Sequence, residues 1–332
     1  MVSVVIPAPS GVASIGTTGL MDALIKGDRS WRFEAGPAAT RLFDVSLVGL
    51  DDRVVPCRDG VYLHPKCSAA DVTAPELVIV PALDDEVVEA SFALNRQWCP
   101  WIKSWHADGA RIASSCTGAF LVADTGLLDG KRATTHWLYA ELFRSWFPKV
   151  TLTEDRLIVD TGDFISSGGA TAFLTLVLYL IELYGGHERA QLAAKVLLVD
   201  GSRSSQVPYM AFSVNRNHRD ELIRSIQDHI DAHLNELLLA TDLAKRFELS
   251  TRTLTRRFVA ATGLSPQEYL QQTRIREAAR LLETTTESVD QVRGRVGYRD
   301  PSAFRRAFGT IMGTSPSGYR NRHAAKPPMA LQ

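Results

Sequence analysis

The chain has 332 residues, of which 45% are hydrophobic, and its formal net charge is zero. This length exceeds what one ordinary hydrophobic core accommodates, so two domains are expected. Even the longest apolar runs, such as residues 173–183, contain polar residues and are too short to span a membrane. The N-terminus lacks the basic region of a signal peptide, and four cysteines do not form a disulfide framework in so long a chain. A cytoplasmic protein without a membrane partner is therefore expected.

The neutral total hides an uneven distribution of charge. Residues 1–217 carry 19 Lys and Arg against 24 Asp and Glu, whereas residues 218–332 carry 18 against 13. The C-terminal third is thus basic, which favours an anionic partner for that part of the chain.

The first 190 residues alternate β-rich runs with amphipathic stretches. Strands are predicted at residues 2–7, 42–48, 77–81 and 111–115, where apolar and β-branched residues are nearly continuous. Helices are predicted at residues 17–26, 86–108, 119–126, 135–147 and 170–184. The repeated strand–helix order predicts an α/β domain with an open, mostly parallel sheet. Asp59-Gly60 marks the turn of a small hairpin within residues 57–67.

The strand–helix alternation stops near residue 200. Residues 201–218 are rich in Ser and other short polar residues and contain Pro208, as linkers commonly do. They are predicted to join an N-terminal domain, residues 1–200, to a C-terminal domain, residues 219–323. The second domain has no β-rich run and is expected to be all-α.

The C-terminal domain contains an internal repeat with an offset of fifty residues. The recurring residues are Arg256, Phe258, Gly263, Ser265, Pro266 and Tyr269, which return as Arg306, Phe308, Gly313, Ser315, Pro316 and Tyr319. Two copies of one helical unit explain this better than chance. An arginine-rich amphipathic helix alone is commonly only a solvated face, but the repeat of the whole pattern argues against that simpler interpretation.

Each copy has the pattern of a helix-turn-helix unit. In the first, residues 241–247 form a helix and Ser250 caps a second helix, on which Leu254 and Phe258 point inward. Arg252, Thr255 and Arg256 share another face of that helix. Arginine can bond guanine through two parallel hydrogen bonds, so this face is suited to the major groove of DNA.

The second copy repeats the arrangement. A helix over residues 289–296 leads through a turn to a helix that begins at Pro301, with Phe304 and Phe308 inward and Ser302 and Arg306 outward. Residues 266–283 carry an apolar stripe and predict one continuous helix between the copies. Such a helix would hold the second helices of the two units, here called the readers, about 34 Å apart, which is one turn of DNA.

On these motifs, residues 219–322 resemble the DNA-binding domain of the AraC/XylS transcription regulators, which has two helix-turn-helix units. The resemblance rests on the two Gly-x-Ser-Pro-x-x-Tyr segments, residues 263–269 and 313–319, and on Phe-Arg-Arg-x-Phe at residues 304–308. It implies promoter DNA as a partner, with RNA polymerase a further partner if the chain activates. The DNA contacts that it implies are Arg252, Thr255, Arg256, Pro301, Ser302 and Arg306. Arg293 replaces a small residue of the family, and it could extend to solvent, touch phosphate or loosen the second unit.

A cysteine lies at a strand-to-helix turn of the first domain. The predicted strand over residues 111–115 runs directly into Cys116, and Gly118 allows close packing at a sharp elbow. A helix N-terminus favours the thiolate and so lowers the pKa of the cysteine. His136 is a candidate base for this thiol, although a His beside a Trp is also commonly a packed structural residue.

The motifs CTGAF at residues 116–120, GLLDG at 126–130 and ATTHW at 133–137 resemble the PfpI-like branch of the class I glutamine-amidotransferase superfamily. More narrowly, the domain is similar to that of GlxA-type AraC regulators. The resemblance implies a flavodoxin-like fold and a homodimer. It also implies a small-molecule effector bound near Cys116, Thr117, His136 and Ala82.

Departures from the superfamily pattern predict a pocket without catalysis. Thr117 stands where protease members have His, Ala82 stands where Gly is frequent, and the best candidate for an early acidic residue is Asp22 rather than Glu. Cys116, His136 and Asp22 are therefore interpreted as remnants of a catalytic site, and no cofactor or metal is expected. A cysteine-dependent hydrolase or deglycase fused to a DNA-binding module remains the alternative, as does a redox sensor acting through Cys116.

Overall fold

The computed structural model describes residues 1–84, 86–169, 171–201, 205–207, 218 and 220–323. Most of the predicted linker lies outside these residues, as does Ala170, the first residue of a predicted helix. The chain divides into two compact units, residues 1–206 and 207–332. No helix of the described residues is long and apolar enough to cross a membrane.

Short strands and loops alternate with helices in the N-terminal unit. Its strands are β1 (Val2–Pro7), β2 (Phe43–Gly49), β3 (Val55–Pro56), β4 (Tyr62–Leu63), β5 (Cys67–Ser68), β6 (Leu77–Val80), β7 (Arg111–Ser115), β8 (Arg132–Ala133), β9 (Thr151–Leu152), β10 (Ile158–Asp160) and β11 (Phe164–Ser167). Seven of these form the main sheet in the order β10-β11-β7-β6-β1-β2-β5. Neighbouring strands of this sheet are parallel except β10, which runs antiparallel to β11. The predicted mostly parallel sheet is confirmed, and so is the small hairpin, formed by β3 and β4.

Helices cover both faces of the main sheet. They are α1 (Ile15–Arg29), α2 (Arg32–Ala35), α3 (Val88–Asn95), α4 (Cys99–Ala107), α5 (Ala119–Asp124), α6 (Ala140–Trp146), α7 (Ala172–Gly185) and α8 (His187–Leu197). Buried residues of α1, α7 and α8 pack on one face, and those of α3 to α6 pack on the other. Apolar side chains on both sides explain why the central strands are nearly continuous apolar runs.

Two helices differ from the prediction for local reasons. The helix expected over residues 86–108 is divided into α3 and α4 by a tight turn, Arg96–Trp98. Pro100 lies in the first turn of α4, where its missing N–H costs nothing, whereas it would break a continuous helix. The helix expected from residue 135 begins only at Ala140, because His136 caps a separate 3-10 turn, Trp137–Tyr139.

The C-terminal unit is helical throughout its described part. Its helices are α9 (Glu221–Ala232), α10 (Ala240–Arg246), α11 (Thr251–Thr262), α12 (Pro266–Thr284), α13 (Val289–Arg295), α14 (Pro301–Met312) and α15 (Pro316–His323). The long helix α12 confirms the predicted connection between the repeats. Its Tyr269 and Leu270 belong to one hydrophobic core, and its Ile275 and Leu282 belong to another. One rigid helix therefore supports both helix-turn-helix units.

Candidate functional site

Cys116 occupies a strained backbone position at the end of a central strand. It follows β7 directly, has a positive φ of 54° and is only 3% exposed. A 3-10 turn, Cys116–Gly118, then leads into α5. Left-handed backbone at a residue other than Gly costs about 1–3 kcal/mol, and such strain collects at functional sites. The sharp elbow predicted from the sequence is present.

The elbow packs tightly against the carboxyl end of β6. A Cβ atom on Gly118 would lie 2.6 Å from the carbonyl oxygen of Val80, so this position has room only for glycine. The Thr117 hydroxyl donates to the carbonyl of Leu83 at 3.0 Å. These contacts fix the elbow beside Ala82, which is half-buried.

His136 is partly buried, and its ring is held by its own loop. Nδ1 accepts the N–H of Leu138 at 3.1 Å, and the ring packs near those of Trp137 and Tyr139. Because Nδ1 accepts this bond, the neutral imidazole carries its proton on Nε2. One ring nitrogen of His136 is therefore occupied by the backbone of its own loop.

Thr135 joins the segment that contains His136, residues 134–139 and called the histidine loop below, to the elbow. Its hydroxyl donates to the carbonyl oxygen of Cys116 at 2.8 Å, and Thr135 is fully buried. The structure thus brings the segments of Cys116 and His136 together at the carboxyl end of the sheet. Thr135 was not predicted as a site residue, since a buried threonine in the sequence gives no sign of its partner.

Asp22 does not lie on the side of α1 that packs on Ala82. Asp22 lies in the middle of α1 and is exposed, whereas Gly16 is the residue of that helix that packs on Ala82. Six helical positions separate the two, which is about 240° around the helix axis and about 9 Å along it. The first turn of α1 contains no acidic residue. The side of α1 that packs on Ala82 therefore carries no carboxylate in its first turn.

Two buried residues with hydroxyl side chains lie at the same end of the sheet. Ser167 ends β11 and lies opposite Ser115 in the parallel register, and Thr17 follows Gly16 on α1. Both residues are fully buried, and neither hydroxyl has a hydrogen-bond partner among the described residues. A buried hydroxyl without a partner is unfavourable, so each of these two groups calls for a physical explanation. The sequence held a signal for Ser167, since the paired strands both end in Ser-Ser.

The remaining cysteines do not form a metal site. Cys57 follows β3 in the small hairpin, whereas Cys67 belongs to β5 in the main sheet. Among the described residues no group of three or more His, Cys, Asp or Glu could hold a metal ion. Burial raises the pKa of Cys99 to about 12, with Asp124 as a further cause, so this thiol is unreactive at neutral pH.

The first helix-turn-helix unit presents the predicted face. Leu254 and Phe258 of α11 are fully buried, while Arg252 and Arg256 are exposed and Thr255 is half-buried. The Ser250 hydroxyl accepts the N–H of Thr253 at 3.1 Å, which caps the helix as the sequence suggested. The exposed arginines thus lie on the side of α11 away from its core.

The neighbouring Arg257 has a different role. It donates from Nη2 to Asp220 at 3.0 Å and from Nε to the second oxygen of the same carboxylate. Asp220 also caps α9 by accepting the N–H of Ile223. Arg257 therefore ties α11 to α9 within the domain.

The second unit presents an equivalent face. Phe304 and Phe308 of α14 are buried, and Pro301, Ser302 and Arg306 are exposed. Asp300 caps this helix by accepting the N–H groups of Ser302 and Ala303, a role that the sequence interpretation did not assign. Arg305 is a further exposed cation on the same helix.

Arg293 braces the turn of the second unit. Its Nη1 donates to the carbonyl oxygens of Tyr298 at 2.6 Å and Arg299 at 2.7 Å, and its Nε lies 3.2 Å from Asp290. The side chain is 20% exposed. These contacts support neither extension to solvent, nor a phosphate contact, nor a loosened unit. Instead, Arg293 stabilises the turn by hydrogen bonds to its backbone carbonyls.

Comparison with known proteins agrees with both units. Residues 2–183 match the DJ-1/PfpI family, and residues 243–322 match a helix-turn-helix domain family. The HTH-type transcriptional regulator GbdR of Pseudomonas aeruginosa is 26% identical over 295 residues, which cover 87% of this chain and 78% of GbdR. The regulator GlxA of Rhizobium meliloti is 26% identical over 217 residues, covering 64% of this chain and 66% of GlxA.

An enzyme is also among the relatives. Isonitrile hydratase of Pseudomonas putida is 31% identical over 155 residues, which are 45% of this chain and 62% of the enzyme. The similarity to GbdR covers 87% of this chain, whereas the similarity to the enzyme covers 45%. The chain belongs to the DJ-1/PfpI family, in the branch that carries an AraC-type helix-turn-helix domain behind the α/β unit.

Proposed function

We propose that this DNA-binding transcription regulator is controlled by a small molecule bound at the Cys116 elbow, in a pocket that does not catalyse a reaction. The observation that carries the DNA-binding part is the repeated reader, in which α11 and α14 expose Arg256 and Arg306 at equivalent positions. One helix, α12, belongs to the cores of both units. The two readers are thereby presented to DNA as one body.

Contacts to DNA follow from the chemistry of the exposed faces. Arg256 and Arg306 are suited to guanine edges, because a guanidinium can bond O6 and N7 together. Arg252, Thr255 and Ser302 can bond bases or phosphate oxygens, and Pro301 provides an apolar contact. Contacts to phosphate give affinity, whereas contacts to bases select the sequence.

The pocket has features of binding more than of catalysis. Thr17 and Ser167 offer buried hydroxyls to a ligand, and Cys116, Thr117, Ala82 and the His136 loop lie at the same end of the sheet. Cysteine catalysis needs a base and a group that orients it. His136 Nδ1 accepts a backbone N–H, and the first turn of α1 has no carboxylate. The elbow is better explained as the wall of a sensing pocket.

In this proposal the α/β unit also forms a homodimer, so that two chains read two half-sites. RNA polymerase is a further partner if the regulator activates transcription. Sedimentation equilibrium of the full chain, with and without operator DNA, measures the first of these features. A monomer under both conditions would contradict it.

DNA binding is tested with an operator selected from random duplexes by the full-length chain. Arg256→Ala and Arg306→Ala should each weaken operator binding by about 1–3 kcal/mol and relax the base preference at one position. Arg256→Lys retains the charge but loses the two-pronged geometry, so it should lose base preference while keeping the salt dependence. Arg280→Ala, which removes an equal charge from the exposed side of α12, is the matched control. Enrichment of no sequence by the intact chain would refute the proposal.

Catalysis is the second candidate, favoured by the strained elbow and by the similarity to isonitrile hydratase. It is tested by turnover of simple isonitriles and of glyoxals by the intact chain and by Cys116→Ala. Turnover that disappears in Cys116→Ala would establish an enzyme. Equal background rates, together with normal operator binding by Cys116→Ala, would exclude catalysis of these substrates.

A further inference from the structure

Gln206, the last residue of the N-terminal unit, is buried in that unit. It is only 2% exposed, although the next residue already belongs to the DNA-binding unit. Its backbone N–H donates to the carbonyl of Asp155 at 2.9 Å, and the neighbouring Ser205 forms a bridge with Arg156. The chain is therefore anchored to the α/β unit immediately before it leaves it.

The side-chain amide of Gln206 is fully used. Nε2 donates toward the carbonyl oxygens of Thr135 and Glu154, both at 2.9 Å, and of Arg156 at 3.1 Å. Oε1 accepts the N–H of Gly169 at 2.9 Å. One amide thus connects three separate loops. Asn is the only other side chain with such an amide, and it is one methylene shorter, so only Gln supplies these groups at this reach.

The glycine pair after β11 is shaped around this amide. A Cβ atom on Gly168 would overlap the Gln206 side chain, and Gly169 has a positive φ of 28°. Gly168 follows Ser167, one of the two buried hydroxyl residues at the pocket. Gln206 therefore packs against the segment that directly follows the buried Ser167.

A continuous set of hydrogen bonds leads from Gln206 to the elbow. The amide donates to the Thr135 carbonyl, and the Thr135 hydroxyl donates to the carbonyl of Cys116. The next residue, His136, accepts the N–H of Leu138. A shift of the histidine loop would consequently disturb the hydrogen bonds of the Gln206 amide.

We propose that Gln206 is the coupling residue through which the Cys116 elbow controls the start of the connection to the DNA-binding unit. When the elbow and the histidine loop keep the arrangement seen here, the Gln206 amide keeps its hydrogen bonds and residues 205–206 stay attached to the α/β unit. A ligand that moves the histidine loop weakens these hydrogen bonds and so detaches residues 205–206 from the unit. The assignment rests on the proposed function for its effector, but the coupling itself is tested without one.

Hydrogen exchange of the full-length chain tests the coupling from both ends. Thr135→Val removes the bond to the elbow while keeping the shape of the side chain, and the Cys116 carbonyl still accepts the N–H of Ala119. The amides of Gly169 and Gln206 should then exchange about two- to tenfold faster, as expected for the weakening of one hydrogen bond. In return, Gln206→Ala should accelerate exchange of the Leu138 amide, which reports on the histidine loop. Gln206→Met serves the same purpose if the alanine variant does not fold.

The matched control is Thr161→Val, which removes a hydroxyl bonded to the Phe164 carbonyl on the β10–β11 turn. It should leave the amides of Gln206 and Leu138 unchanged. Equal exchange at Gln206 in Thr135→Val and in the control would overturn the coupling, as would an unchanged Leu138 amide in Gln206→Ala.

Operator binding shows whether the coupling reaches DNA. Thr135→Val should change the operator Kd, and this change should vanish in the Gln206→Ala background. Additive effects, or no change in either background, would refute control of the DNA-binding unit through Gln206. If no operator can be selected, the proposed function fails, while the exchange measurements still decide the coupling.

Discussion

Removing single buried hydroxyl groups near the elbow tests whether they are kept for a ligand or for packing. Thr17 is fully buried, and its hydroxyl has no hydrogen-bond partner among the described residues. Thr17→Val keeps the shape and removes this group, so it should raise the free energy of unfolding of the ligand-free chain by about 1 kcal/mol. The same change should weaken binding of any effector that uses the hydroxyl. Urea denaturation measures the first effect and calorimetry the second.

Thr135→Val is the contrasting variant for this prediction. Its hydroxyl is also fully buried but donates to the Cys116 carbonyl at 2.8 Å. Removing it should therefore lower stability by about 1 kcal/mol rather than raise it. Stability changes of the same sign in both variants would contradict the view that Thr17 is held unsatisfied for a ligand.

The site was predictable only where its residues are neighbours in sequence. Cys116, Thr117 and Gly118 form the elbow by themselves, and their order predicts the turn. Gln206 meets Thr135 across 71 positions, and no local pattern records such a contact. The sequence pattern did not show that Gly16 rather than Asp22 lies against Ala82, because the start of α1 decides this and helix starts are the least certain feature of a sequence pattern.

At the scale of elements, the two helix-turn-helix units are stabilised in different ways. The second depends on Arg293, which donates to the carbonyls of Tyr298 and Arg299 inside the turn. Arg293→Ala should loosen the turn, misalign α14 and weaken operator binding by about 1–3 kcal/mol. The slope of log K against log salt should stay the same, because no phosphate contact is lost. A slope smaller by about one would instead identify Arg293 as a phosphate ligand.

The first unit depends on the ion pair between Arg257 and Asp220. The hydrogen bond from Arg257 holds the pKa of Asp220 below its usual value. A lowered carboxyl pKa stabilises the fold above about pH 4, the unfolded value, and the benefit is lost as pH falls through the folded pKa. Asp220→Asn retains the cap of α9 without the charge. The stability difference between wild type and Asp220→Asn should thus be constant near neutrality and disappear in acid.

Denaturation at a series of pH values measures this difference. The matched control is Glu277→Gln, which breaks the exposed pair with Arg280 and should change stability little. A difference for Asp220→Asn that does not shrink at any pH as the solution is acidified would show that the charge of Asp220 does not stabilise the unit.

Element boundaries followed the sequence where packing and local chemistry agreed. The apolar stripe of α12 predicted its whole length, since Ser265 begins it and the stripe runs through both cores. Residues 86–108 had helical composition throughout, yet the helix is broken near Pro100. The short strands β10 and β11 and helix α8 were not predicted. Strands of three or four residues gain their stability from neighbours in the sheet, which a local pattern does not show.

At the scale of the whole molecule, the buried apolar residues form separate cores in the two units. The sheet with its helices contains two of these cores, and the helix-turn-helix units contain the other two. Chains with independent domains depart from two-state unfolding. The full chain should therefore melt in two transitions, one for each unit, and a substitution in one unit should move only one of them.

Alanine substitution of two glycines should shift the melting midpoints of the two units in opposite directions. Gly118→Ala forces a Cβ atom to within 2.6 Å of the Val80 carbonyl, so it should lower the midpoint of the α/β transition by the equivalent of about 1–3 kcal/mol. Gly309→Ala adds a methyl group in the interior of α14, where no atom beyond its chain neighbours and the backbone of the same helix lies within 4 Å. It should raise the other midpoint by the equivalent of about 0.5–1 kcal/mol. Calorimetry of the two variants and the double variant gives both midpoints. A single transition that both substitutions move would mean that the two units unfold as one, and that the cores are coupled through the whole chain.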